Sequence, residues 1–378
     1  MINTLHLKGF RCFEDITFHL SPLEVIVGAN GTGKSTLFEF LHFWHGLFEE
    51  KIPYTILPTT LKNTYKKVFY KEEKIEWTIE FKAKNLKETR HSLTLAGPVG
   101  DPKILLESLS FDKQEILQRS YKESDIQDIK FYKDSVPNKL PATLSLLQQT
   151  KEIVEKSIHI DSPFHLYDAS TLDFQSIKRP SLLTPESTLS ETGSNLSVIL
   201  HRLMTEQDSI FDQLQHYVGL IIPKFTSLRV RQYGAPGEIM AFWKEEGIAG
   251  ELTLADLSDG TLRLLCWLTI VLCAKEGDII CMDEPDVGLH PRALVIFAGL
   301  IQSAVYNNKA QILLTTHNSY FLSSFELDEI AVMRKNDFGT GIEFLKPKDS
   351  TVLKELLQEF DSSKLESLHQ TDELEIFS

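Results

Sequence analysis

The sequence predicts an α/β fold, and three stretches predict it. A β-branched run, Val25-Ile26-Val27, meets a glycine-rich turn and then an apolar-periodic segment from Leu37 to Phe48, the succession of strand, loop and helix. Far downstream an apolar strand, 278–282, ends in the paired acids Asp283 and Glu284. A third apolar strand, 310–314, runs into Thr315-Thr316-His317-Asn318.

The first stretch has the spacing Gly28-x-x-x-x-Gly33-Lys34-Ser35. Glycines at 28, 31 and 33 let the backbone turn its N–H groups onto β- and γ-phosphates, and the helix opening near Lys34 adds its positive end. Lys34 suits the β/γ-phosphates and the Ser35 hydroxyl suits one position on Mg²⁺. Asn30, Gly31, Gly33, Lys34, Ser35 and Thr36 are therefore candidate ATP-binding residues, with Ser35 also a candidate metal ligand. By itself this loop specifies a nucleotide and nothing further.

In the second stretch, Asp283 closes a buried strand where it suits the Mg²⁺ shell. Glu284, directly after it, is placed to orient and deprotonate an attacking water, the role in-line phosphoryl transfer requires. The alternative for Glu284 is an acid that caps a helix ahead of Pro285. Between these stretches lies Leu257-Ser258-Asp259-Gly260-Thr261-Leu262-Arg263, a polar turn that opens the apolar run Leu264 to Ala274. Ser258, the Gly260 N–H and the helix N-terminus suit a γ-phosphate. After the acids come Asp286-Val287-Gly288-Leu289-His290-Pro291. His317 suits hydrogen bonding to a γ-phosphate, or serves as a structural histidine at a strand end.

Composition sets outer limits. A chain of 378 residues with 42% hydrophobic and 24% charged residues suits a globular protein of two or three lobes. The longest uncharged apolar run, Leu264 to Ala274, is about half what a bilayer requires. No membrane partner is expected, and the N-terminus, free of a basic n-region or cleavage site, points to the cytoplasm. The four cysteines, at 12, 266, 273 and 281, form no C-x-x-C pair and read as buried free thiols. A net charge of −14 argues against a surface coated in phosphate-binding groups but permits a local basic face. Residues 62–90 supply the candidate, nine Lys or Arg against five Glu, interleaved with Tyr65, Phe69, Tyr70, Trp77 and Phe81. The plainer alternative is solvated lysines on strands whose aromatics point inward.

Taken together, five ordered motifs resemble those of ABC-type ATPase heads of the RecF/SMC-like class. The resemblance spans residues 1–50 and about 250–335. It implies a P-loop head with a mixed β-sheet flanked by helices, plus a compact α+β insertion between Walker A and the signature motif. The signature is usually Leu-Ser-Gly-Gly-Gln; here Asp259 replaces the first glycine and Thr261 the glutamine, and the carboxylate of Asp259 is expected to point away from the nucleotide. Residues 286–291 look like the D-loop, and His317 like the switch histidine. The opening Leu5-His6-Leu7-Lys8-Gly9-Phe10-Arg11-Cys12-Phe13 fits the class, making Arg11 a candidate contact for ribose or phosphate, or else a surface strand residue. Gln148, within Leu144-Ser145-Leu146-Leu147-Gln148-Gln149, is a candidate Q-loop residue, or a solvated glutamine on a helix.

The expected organisation is an N-terminal ATPase part at 1–98, a mostly helical insertion at 99–245, a C-terminal ATPase part at 246–345, and a helix and tail at 346–378. Between the Walker A helix and the signature, strands are expected from about 66 to 97, helices at 104–128, 142–158 and 195–217, and a loop at 176–195. Prolines from Pro98 to Pro223 exclude a long coiled-coil arm. The resemblance further implies a homodimer joined through two ATP sites, since the signature faces outward and Ser258 reaches only a second head's γ-phosphate. Two uses of that cycle stand open: control of a separate effector such as a nuclease or toxin in phage defence, or a DNA clamp that uses residues 62–90. A transporter subunit fits poorly, because the aromatic A-loop and the signature glutamine are missing.

Overall fold

The structure, a computed structural model, describes residues 1–47, 74–82, 88–96, 103–111, 114–121, 127–131, 164–206, 208–335 and 341–348. Candidate Gln148, the expected helix at 142–158, residues 62–73 of the basic segment and the tail beyond 348 lie outside them. The chain forms two units, residues 1–164 with 326–378, and residues 165–325.

The first unit begins with a hairpin of β1 (Ile2–Phe10) and β2 (Phe13–His19), closed by the Phe10–Phe13 pair. The wholly buried β3 (Leu23–Val27) follows, then α1 (Lys34–Gly46). β4 (Lys74–Lys82), β5 (Glu88–Ala96), β6 (Lys103–Phe111), β7 (Gln114–Tyr121) and β8 (Gln127–Phe131) complete an antiparallel sheet in the order β2-β1-β4-β5-β6-β7-β8. β4 shows why: Ile75, Trp77, Ile79 and Phe81 alternate with polar residues and are all buried, the period of two that a one-sided strand requires.

α1 lies on this sheet through aromatic edges. Phe40 meets Phe10 at 5.2 Å and Trp77 at 5.6 Å between ring centroids, and Trp44 meets Phe81 at 5.2 Å. Each such pair adds about 0.5–1.5 kcal/mol beyond its area burial. A polar chain runs through the same layer: Trp44 Nε1 donates to His91 Nδ1 at 3.2 Å, and His91 Nε2 bonds Glu107 Oε1 at 3.0 Å. Because Nδ1 accepts, the imidazole proton sits on Nε2 and is donated to the carboxylate. His91 and Glu107 are wholly buried, so these bonds offset the desolvation cost that burial imposes on both groups.

The helix expected at 104–128 is not formed; β6, β7 and β8 occupy that stretch. Its Leu, Glu, Lys and Gln content favours helix locally, and tertiary pairing overrides that preference. A bulge against β5 between Thr94 and Leu95 contributes to the misleading pattern. It brings Ile104 and Glu107 to the same buried face three residues apart, a spacing that reads as helical in sequence.

The second unit opens with β9 (Phe164–Asp168), the one-turn helix α2 (Phe174–Ile177) and the two-residue β10 (Ser181–Leu182). Two helices, α3 (Leu196–Glu206) and α4 (Asp208–Ile221), stand where one was expected from 195 to 217. β11 (Phe225–Gln232), β12 (Glu238–Glu245) and β13 (Leu252–Thr253) form a small antiparallel sheet with β10. Next come α5 (Asp259–Leu272), β14 (Ile279–Asp283), α6 (Pro291–Tyr306), β15 (Gln311–Thr315) and the one-turn α7 (Ser319–Leu322). α5 is buried at every position from Leu264 to Leu272, which marks a central rather than a surface helix. β14 and β15 pair in parallel, with Met282 opposite Leu314, so Asp283 and Thr315 end their strands side by side.

The chain then returns to the first unit. β16 (Ile330–Lys335) pairs parallel to β3, and β17 (Ile342–Leu345) pairs antiparallel to β16. Just past β17, Lys346 Nζ bonds Glu24 Oε2 at 2.6 Å and Ser21 Oγ at 3.0 Å, tying this segment to the wholly buried carboxylate of β3.

Candidate active site

The candidate residues fall into two groups, one in each unit. In the first unit, β3 delivers the chain into the loop 28–33 and α1 begins at Lys34. A side chain at position 28 would place Cβ 2.2 Å from the Met333 carbonyl oxygen, so only glycine passes there. Gly33 caps α1 at φ 96°, and a Cβ on it would stand 2.7 Å from the Phe13 ring. No side chain caps α1, so its first N–H groups face the loop's concavity, the arrangement that binds a phosphate. Gly31, at φ 77°, borders open space. Asn30, Gly31 and Ser35 are exposed, and Thr36 is half-buried. Lys34, only 7% exposed, lays its ammonium back over the loop, donating to the Gly28 carbonyl at 2.8 Å and the Ala29 carbonyl at 3.1 Å. These residues fit a triphosphate.

Arg11 occupies the tip of the β1–β2 hairpin at φ 50°, and its guanidinium is bonded to Glu39 on α1. Beside it, the Cys12 thiol hydrogen-bonds Thr36, and burial pushes that thiol above its ordinary range. The hairpin tip is thus attached to the first turns of the loop's own helix.

In the second unit, the ends of β14 and β15 assemble a cluster. Thr315, wholly buried, donates its hydroxyl to Asp283 Oδ1 and accepts the Glu284 backbone N–H at 3.0 Å. The Ala169 N–H holds the Asp283 carbonyl at 3.1 Å. Glu284 adopts φ 50°, a left-handed conformation that costs a non-glycine residue energy and that concentrates at functional positions. Its carboxylate Oε1 stands 3.5 Å from His317 Nε2. Asn318 accepts the N–H groups of Tyr320 and Phe321, and its own N–H meets Thr316 Oγ1 at 3.0 Å, which fixes the loop carrying His317. Burial raises the Asp286 carboxyl above its usual range, partly opposed by a hydrogen bond from Thr316.

Ser258 is the N-cap of α5, its Oγ accepting the Thr261 N–H at 3.2 Å. Gly260 lies against the 286–290 segment, since a Cβ there would meet the Gly288 carbonyl oxygen at 3.1 Å. Arg263 joins the same elements, donating to the Val287 carbonyl at 2.6 Å and the Ala169 carbonyl at 3.4 Å. Asp259 forms an ion pair with Lys178 at 2.7 Å. Sequence reasoning did not select Thr315, Arg263 or Lys178. Thr315 was recoverable as the last residue of the strand before His317, whereas nothing in sequence joins Lys178 to a residue 81 positions away.

No cluster of three or more His, Cys, Asp or Glu among the described residues forms a protein-only metal cage. An Mg²⁺ ion bound with a nucleotide is ordinarily held largely by phosphates and water and does not require such a cage.

Residues 24–323 match the family described as "AAA domain, putative AbiEii toxin, Type IV TA system". The chain belongs to this family. Among curated relatives, this AAA-domain protein is 22% identical to the OLD nuclease of Thermus scotoductus, over 95% of the chain and 67% of that protein. It is 34% identical to the energy-coupling factor transporter ATP-binding protein EcfA2 of Spiroplasma kunkelii, over 28% of the chain and 33% of that protein. In fold it resembles an Smc head crystallised with the C-winged helix domain of ScpA, with a TM-score of 0.57, 13% identity and coverage of 93% of this chain and 99% of that one. The AAA-domain chain is an ATPase of the ABC-like class, related to the OLD nuclease, with the fold of an SMC-like P-loop head. No helix among its described residues is long and apolar enough to cross a membrane.

Proposed function

We propose that the chain is an Mg²⁺-dependent ATPase that closes as a head-to-tail homodimer around two ATP molecules and uses that cycle to control a separate effector, a nuclease or toxin, in phage defence. The observation that carries the catalytic part is the cluster of Asp283, Thr315, Glu284 and His317, in which a strained backbone and a shared threonine hydroxyl fix two acids beside a histidine. The family's description, which names a toxin, and the OLD nuclease relative support a toxin or nuclease as the effector. The SMC-like head fold supports ATP-gated closure. A cytoplasmic location belongs to the same reading, supported by four free cysteines, of which Cys266 and Cys281 are buried.

In this reading the Lys34 ammonium leaves the Gly28 and Ala29 carbonyls for the β/γ-phosphates, while the loop N–H groups hold the oxygens. Ser35 and Asp283 are the residues that would each offer an oxygen to Mg²⁺, which when bound would supply charge neutralisation at the phosphates. Glu284 accepts a proton from the attacking water as the new P–O bond forms, the bond to the ADP oxygen breaks, and ADP and phosphate leave. His317 reports the γ-phosphate, and Ser258 with Gly260 closes the site from the second copy.

Within β4 and β5 the aromatic members of the basic segment, Trp77 and Phe81, are buried, and Arg90 stands 3.8 Å from Glu80. That favours the effector reading over a DNA groove built from these strands. ATP turnover per chain, measured across a wide range of protein concentration with and without duplex DNA, tests both. A rate that climbs with concentration and ignores DNA supports the proposal; a rate independent of concentration contradicts the ATP-joined dimer, and strong DNA stimulation contradicts the effector reading.

A further inference from the structure

We propose that Lys178 is a positioning residue of the signature loop, neutralising Asp259 so that this acidic signature accepts the triphosphate of a second copy of the chain. The inference rests on the ATP-joined dimer proposed above and deepens it. Asp259 is the first residue of α5, next to the Ser258 cap and Gly260, and an uncompensated carboxylate there would oppose an incoming phosphate. Lys178 Nζ meets Asp259 Oδ1 at 2.7 Å, which cancels that charge locally.

The pair is a poor stability device. Its side chains are 31% and 60% exposed, and exposed ion pairs contribute little to folding. Its effect therefore falls on local potential. The lysine is also presented from a fixed support: Asp173 caps α2 through the Gln175 and Ser176 N–H groups, Ile177 is buried, and the Lys178 N–H returns to the Phe174 carbonyl at 3.0 Å. Arg263 lies 5.3 Å from the Phe174 ring and donates to Val287, so the support of Lys178 shares contacts with the signature helix and the 286–290 segment. Lys178 acts through Asp259, in place of the uncharged glycine that the signature usually carries at that position.

The test uses the full chain as Lys178→Ala, Asp259→Gly and the double variant. Half-maximal ATP turnover should require about tenfold more Lys178→Ala protein than parent, the scale of one unpaired charge at an interface. That deficit should shrink with added salt. The double variant should return to within about threefold of the parent, because a glycine needs no cation. Binding of a fluorescent ADP analogue to dilute protein, which reads the Lys34 loop alone, should be the same in all three. A parental concentration dependence for Lys178→Ala overturns the proposal. So does a deficit that Asp259→Gly fails to rescue and that tracks a lowered Tm, the behaviour of a merely structural lysine. A parent whose turnover is independent of concentration would overturn the dimer reading itself, and this role with it.

Discussion

His317 Nε2 stands 3.5 Å from Glu284 Oε1, and the Glu284 backbone N–H is fixed by Thr315 only two residues before that histidine. The water-activating acid and the phosphate-sensing histidine of the proposed mechanism therefore share one support, the end of β15. Disturbing either should be felt by the other.

Glu284→Gln keeps the side chain's size and hydrogen-bonding capacity while removing its basicity. Turnover should fall about 10²- to 10⁴-fold, with nucleotide affinity retained and the ATP-bound dimer accumulating. Single-turnover kinetics alongside sedimentation in ATP checks this; hydrolysis at the parental rate would refute the role given to Glu284.

Thr315→Val tests the shared support. The substitution keeps the shape but strips the hydroxyl from both Asp283 and the Glu284 N–H, removing one partner from each of these partly buried groups. Stability should drop by about 1–3 kcal/mol in a denaturant titration, and turnover should fall although no proposed ligand has been changed.

Lys34→Ala removes the ammonium that the Gly28 and Ala29 carbonyls hold in this structure. Charge-assisted bonds of this kind are each worth about 1.5–3 kcal/mol, so affinity for a fluorescent ATP analogue should weaken about 10- to 100-fold or more.

Glu24 sets a pH dependence of folding. Burial raises its carboxyl from the ordinary 4.5 to about 7, with Lys346 opposing the shift. Between these values the folded chain holds a proton that the unfolded chain has released. This group's contribution is therefore fully present below about 4.5 and is lost as pH rises through about 7. Lys346→Met should make the loss larger at neutral pH, because the carboxylate then charges without its partner. Melting temperatures from pH 4 to 8 for the two proteins would reveal the difference; parallel curves would rule it out.

The elements that were legible in sequence are those whose signal is contiguous. The glycines at 28, 31 and 33 sit between a buried strand and a helix, and β4 alternates without interruption. The stretch 104–128 carries a local composition that favours helix, while β6 pairs with β5, β7 with β6 and β8 with β7. Burial of Glu107 illustrates the difficulty: a glutamate reads as solvated unless His91 is known to face it.

Sequence alone determined the chemistry available to this protein, since a phosphate loop, a strand ending in two acids and a capped apolar helix are each written in neighbouring residues whose backbone and side-chain preferences act locally. Only the tertiary structure decided how those groups are held. Thr315 joins Asp283 to Glu284, Lys178 neutralises Asp259, Arg263 ties α5 to the 286–290 segment, and Glu107 is buried against His91. Each of these is a contact between residues distant in the chain, and hydrogen bonds and charges act through space, where separation along the backbone carries no weight.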